Sequence, residues 1–133
     1  LGRVVKNPDT IASAIRIGNP ASWELAITAR QLTNGYFGAI SDTHILEAYR
    51  ILSAEVGIFV EPASAISVAG LLERAAAGEI PRGSTVVLTV TGHGLKDPQW
   101  ALKTADGSAI TPTVVANDTD EVAGVLGLAK VTV

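Results

Sequence analysis

Apolar and polar positions alternate in blocks along the chain, and the block period changes between that of a helix and that of a strand. The stretch NPDTIASAIRIGNPASWELAITARQL predicts two successive helices. Asn7 caps the first, and Pro8 sits where a missing N–H costs nothing. Gly18 ends it, and Asn19-Pro20 repeats the start signal. After a turn at NG, residues 36–40 read as a short strand. Ser41 caps a helix with Ile45, Tyr49, Leu52 and Val56 on one apolar face. GIFV at 57–60 is a second short strand, and Glu61-Pro62 opens a helix that is apolar nearly all round over 62–72. TVVLTV at 85–90 is apolar on both faces, as in a covered parallel sheet. Asp97-Pro98 starts a short helix through Trp100 and Lys103, ADGS at 105–108 is a turn, 111–115 reads as a fourth strand, and 117–129 as a closing helix with an acidic start. Strands alternating with helices imply an α/β fold, a parallel sheet flanked by helices with right-handed crossovers.

Composition changes this picture in one respect. Of 133 residues, 47% are hydrophobic and only 17% charged, against roughly 25% charged in an average soluble domain. A small domain has more surface per residue to keep wet, so this chain reads as a segment whose faces are covered by other protein. Leu1 at the start and the lack of methionine fit an excised piece. The two-faced strand and the apolar helix lead to the expectation of self-association, a homodimer being the simplest form. Net charge is −3 with no basic run, which argues against nucleic acid. There is no cysteine, so disulfides, thiol nucleophiles and zinc–thiolate sites are excluded. No stretch has the length of a membrane span or the pattern of a signal peptide, so a cytoplasmic protein is expected.

In a parallel sheet, ligands sit beyond the C-terminal ends of the strands. Glu61 after GIFV, and Thr91, Gly92, His93 and Gly94 after TVVLTV, occupy such places. Glycines let backbone approach a ligand closely, and a threonine hydroxyl both donates and accepts. TGHG alone is equally an ordinary strand-to-helix turn. It lacks the GxxxxGK[ST] spacing of a phosphate loop and is not a dinucleotide fingerprint. Glu61 also suits a helix N-terminus for purely structural reasons. His93 has catalytic potential but is equally a loop histidine bonded to backbone. His44 reads as a solvated residue near a helix start, and two histidines so far apart give no metal-ligand spacing. Ser22, Ser64 and Ser67 lack a G-x-S-x-G context, and Trp23 and Trp100 read as packing residues.

Taken in order, AIRIGNPASW (14–23), GIFVEPASA (57–65) and TVTGHGLKDP (89–98) resemble the threonine synthases, which are fold-type-II (tryptophan-synthase-β-like) enzymes dependent on pyridoxal 5'-phosphate. RIGNPASW and TGHGLKDP are specific to that family within the fold, whereas EPASA is shared more widely. The resemblance runs from LGRVVKN to the terminal VAGVLGLA and implies the conversion of O-phospho-L-homoserine and water to L-threonine and phosphate. It implies that Thr91 hydrogen-bonds the cofactor's pyridine nitrogen, that Gly92 and Glu61 lie against the cofactor, and that Asn19 and His93 line the rim of the substrate cleft. The family's Schiff-base lysine stands in an SFKDR-type motif, and its cofactor phosphate sits on a Gly/Asn-rich loop; neither is present here. Lys6, Lys96, Lys103 and Lys130 have none of that context. The chain therefore reads as the C-terminal segment, residues 1–133, of one enzyme domain. It holds no catalytic residue of its own, is inactive and cofactor-free alone, and is partnered by the missing N-terminal part.

Three other readings fit the residues: a different fold-type-II lyase, such as a threonine dehydratase or cysteine synthase relative; a non-catalytic α/β module binding a small anion at TGHG; and a non-catalytic fragment that self-associates. An SFKDR-like motif upstream of Leu1 separates the enzyme from the module.

Overall fold

A computed structural model describes residues 3–104 and 106–128. Ala105 of the expected turn at 105–108, Ala129 at the end of the expected last helix, and Lys130 lie outside them. The chain divides into two compact units, Leu1–Trp100 and Ala101–Val133.

The first unit is built on a helix pair. Helix α1 spans Trp23–Thr33 and closes on Asn34, whose φ of 52° is left-handed; asparagine tolerates that conformation better than most residues. Helix α2 spans Asp42–Ala54, with Ser41 as its N-cap accepting from the His44 amide. Helix α3 spans Pro62–Ala76, with Glu61 at the N-cap and proline in the first turn. Ile45, Ala48, Tyr49 and Leu52 of α2 meet Ala65 and Ala69 of α3 in the core, which Val60 and Ala12 complete. The small residues of α3 let the two helices approach closely. His44 Nδ1 lies 3.1 Å from Glu73 Oε2, so it joins α2 to α3 at a half-exposed edge. Val56, expected on the buried face, is 57% exposed, because α2 ends before it.

The expected first helix does not form; only a 3₁₀ turn, Ser13–Ile15, is present. Side chains capture the donors it would need. Thr10 donates its hydroxyl to Asp42 Oδ1 at 2.6 Å, the Ile11 amide donates to Asp42 Oδ2 at 3.2 Å, and the Ala12 amide donates to Thr10 Oγ1 at 3.2 Å. Such side-chain bonds compete directly with helical ones.

The expected parallel sheet is also not formed among the described residues. The segments 36–40, 57–60, 85–90 and 111–115 carry no strand ladder, and pairing is confined to two isolated antiparallel bridges, Val60 with His93 and Lys103 with Ala109. Apolar alternation reports which residues avoid water. A ladder also needs a neighbour for each row of N–H and C=O groups. Val86 and Val87, neighbours that an extended chain points to opposite faces, are 45% and 88% exposed, so both apolar faces of the segment are open.

In the second unit, the Thr104 amide donates to the Ser108 carbonyl and the Ile110 amide to the Leu102 carbonyl. Helix α4 spans Thr119–Val125 behind an Asp118 cap, whose carboxylate accepts from the Glu121 amide. Among the described residues no helix is long and apolar enough to cross a membrane.

Candidate functional site

The start of α3 and the loop after 85–90 are locked together. The Glu61 amide donates to the Gly92 carbonyl at 2.9 Å, and the Gly94 amide donates to the Phe59 carbonyl at 3.2 Å. Ser64 and Ser67, three residues apart, share one face of α3. Ser67 donates its hydroxyl to the Thr89 carbonyl at 3.2 Å. The Gly92 amide donates to Ser64 Oγ at 2.6 Å, and that oxygen lies 3.3 Å from Thr91 Oγ1. Ser64 is 4% exposed, whereas Thr91 is exposed. The loop therefore holds its backbone against α3, and Thr91, itself exposed, keeps its hydroxyl within reach of Ser64.

Both buried glycines of this loop are explained within the chain. A Cβ on Gly92 would stand 1.7 Å from Glu61 Oε1, and one on Gly94 would stand 2.4 Å from the Phe59 ring. Phe59 is itself fixed edge-on between Tyr49 and His93. The Glu61 carboxylate is 6% exposed and accepts from Lys96 Nζ at 3.3 Å. Charge pairing of this kind is what permits a carboxylate so far from water.

His93 Nδ1 accepts from the Leu95 amide at 3.2 Å, so its backbone-bonding role is realised. Beyond it Asp97 is 3% exposed and accepts from the Ser13 hydroxyl at 2.7 Å, tying the loop to the 3₁₀ turn. Near Asp97 the Tyr49 hydroxyl is buried without a partner among the described residues. Burial first, and then the Asp97 charge, push its pKa up, with Arg50 opposing.

The structure thus brings Glu61, Thr91, Gly92 and His93 together. Asn19 is exposed in the turn before α1, and no described hydrogen bond joins it to that group. Sequence reasoning missed Ser64, Lys96 and Asp97 as parts of the site. Ser64 was findable: with Glu61 as N-cap it falls on the third helical position, on the side that faces the loop at Thr91 and Gly92.

The sequence pattern of the family described as "Pyridoxal-phosphate dependent enzyme" matches residues 2–92. A threonine synthase of Mycobacterium tuberculosis (strain ATCC 25618 / H37Rv) is 54% identical over 129 residues, covering 97% of this chain and 35% of that protein. A threonine synthase of Halalkalibacterium halodurans is 50% identical over 116 residues, 87% of this chain and 32% of that protein. One of Methanocaldococcus jannaschii is 48% identical over 101 residues, 76% of this chain and 25% of that protein. The chain spans about a third of the length of the first curated relatives it matches.

Proposed function

The chain belongs to the pyridoxal-phosphate dependent enzymes, and from that premise we propose that it forms one wall of the active site of a threonine synthase. The whole enzyme would convert O-phospho-L-homoserine and water to L-threonine and phosphate, as the names of relatives about 50% identical support. The observation that carries the reading is the placement of Thr91, an exposed residue whose hydroxyl and following amide are both held by Ser64 of α3.

The donor chemistry fits the cofactor. A neutral hydroxyl can bond the nitrogen of a pyridine ring without forcing a charge on it, as an aspartate would. When bound, pyridoxal phosphate supplies the electron sink that makes the substrate's C–H and C–O bonds labile. Thr91 orients the ring and tempers that sink. Gly92 and the paired Glu61 would help to hold the cofactor, and His93 and Asn19 would line the cleft rim. The lysine that holds the cofactor comes from the part of the enzyme preceding this segment, so residues 1–133 alone are inactive. In the assembled domain the segments 57–60 and 85–90 join a parallel sheet, and the open faces at Val86 and Val87 are covered. The enzyme is a cytoplasmic homodimer in this reading.

The test is threonine formation and phosphate release from O-phospho-L-homoserine by the full-length protein. Thr91→Ala should keep the fold and weaken cofactor binding by roughly two- to tenfold, the equivalent of about 0.5–1.5 kcal/mol for one hydrogen bond. A full-length protein that makes no threonine, or a Thr91→Ala variant that binds the cofactor and turns over like the parent, overturns the reading.

A further inference from the structure

We propose that Ser64 is a positioning residue that fixes the hydrogen-bond polarity of Thr91, making the Thr91 hydroxyl a donor toward the cofactor's ring nitrogen. The inference rests on the placement of Thr91 given above and goes beyond it by assigning a direction to each bond.

A peptide N–H can only donate, so the 2.6 Å contact from Gly92 makes Ser64 Oγ the acceptor. The serine keeps its own hydrogen. At 4% exposure that hydrogen has little access to water and needs a protein acceptor. Among the described residues, the oxygen hydrogen-bonded to Ser64 Oγ that can take it is Thr91 Oγ1, at 3.3 Å. The chain then runs Gly92 N–H to Ser64, Ser64 O–H to Thr91, and Thr91 O–H outward. Accepting one bond makes a hydroxyl a better donor for the next. A protonated ring nitrogen would bring a second donor to Thr91 Oγ1 and leave the threonine hydrogen unmatched; an unprotonated one completes the chain.

The charged groups around the loop do not override this order. Glu61, from the start of α3, is paired with Lys96 of the loop itself. Asp97 accepts from Ser13. His93 uses Nδ1 for the Leu95 amide. The polarity is therefore set by a neutral chain anchored on a backbone amide, which pH does not alter.

The experiment uses the full-length enzyme loaded with pyridoxal phosphate carrying ¹⁵N at the ring nitrogen. The parent should show an unprotonated, hydrogen-bonded nitrogen across the neutral range. Ser64→Ala should move that resonance toward the pyridinium position on mild acidification and raise the cofactor's dissociation constant roughly two- to tenfold. Thr91→Ala should move the resonance from the parent's hydrogen-bonded position. If Thr91→Ala moves it and Ser64→Ala does not, the polarity role is overturned while the placement of Thr91 stands. If neither moves it, the placement itself fails. Should Ser64→Ala not fold, neutron diffraction of the parent decides: a deuteron on Ser64 Oγ pointing at Thr91 supports the proposal, and one on Thr91 Oγ1 pointing at Ser64 overturns it.

Discussion

The Glu61 carboxylate fills the space that a side chain on Gly92 would need: a Cβ there would lie 1.7 Å from Oε1 and 2.3 Å from Cδ. A long side chain can usually swing away from such a clash. Here it is buried and held by Lys96, so moving it breaks an ion pair and unseats the loop. Gly92→Ala in the full-length protein should cost about 1–3 kcal/mol, as overpacking does, read as a lowered urea midpoint. Removing the obstacle should relieve it. In Glu61→Ala the added cost of Gly92→Ala should shrink, giving a coupling of about 0.5–3 kcal/mol in a double-mutant cycle. Strict additivity would place the clash elsewhere.

A second dependence runs over long range. Asp42 sits in the first turn of α2, yet both its carboxylate oxygens serve residues 10 and 11. Asp42→Ala should cost about 1.5–3 kcal/mol, the scale of a hydrogen bond to a charged group. Amide exchange should speed up at Ile11 in particular. Unchanged protection at Ile11 would show that the segment is held by its apolar contacts instead.

These two cases mark where the sequence was readable. The Ser41 cap, the buried face of Ile45, Tyr49 and Leu52, and the Glu61-Pro62 start are local signals, and each stands where its spacing put it. The absent first helix was not legible, because Asp42 lies more than thirty residues from the amide it captures. Apolar runs at 57–60 and 85–90 reported a demand for cover, but pairing depends on a neighbour that the run itself does not encode. Gly92 and Gly94 read as room for a ligand, whereas Glu61 and Phe59 occupy the space beside them. Ser64 was passed over for lacking a nucleophile motif. Its partner, the Gly92 amide, is 28 residues away.

Acid provides a local test in the second unit. The Thr104 hydroxyl, foremost, and the Ser108 amide donate to Asp106 and hold its pKa down to about 2. A depressed carboxylate adds stability above its unfolded pKa and loses it as pH falls through the folded one. The turn at Thr104 and Ser108 should therefore persist through the range where ordinary aspartates protonate and open only near pH 2. Carboxyl ¹³C titration of Asp106 reads this directly. A midpoint at the ordinary aspartate value, about 3.9, would mean that the bonds do not form. Thr104→Val should move the midpoint upward.

Alkali tests the core through Tyr49. Its hydroxyl is buried with no hydrogen-bond partner among the described residues, and desolvation, followed by the Asp97 charge, raises its pKa. Below the unfolded value of about 10, the tyrosine is neutral in both states and titration costs nothing. Above it the unfolded chain ionises while the folded one resists, so stability falls as pH rises from about 10 toward the raised folded value. Tyr49→Phe keeps the ring that meets Phe59 edge-on at 6.3 Å and removes the ionisable group. At neutral pH it should leave stability unchanged or raise it, by at most about 1–3 kcal/mol, the penalty of an unsatisfied buried polar group. In alkali it should lose less stability than the parent. Every other group is common to both proteins, so the difference between the two urea midpoints isolates Tyr49. A variant destabilised by more than about 1 kcal/mol at neutral pH would reveal a bond worth keeping. Midpoints that decline in parallel above about pH 10 would show that Tyr49 reaches solvent before the fold gives way.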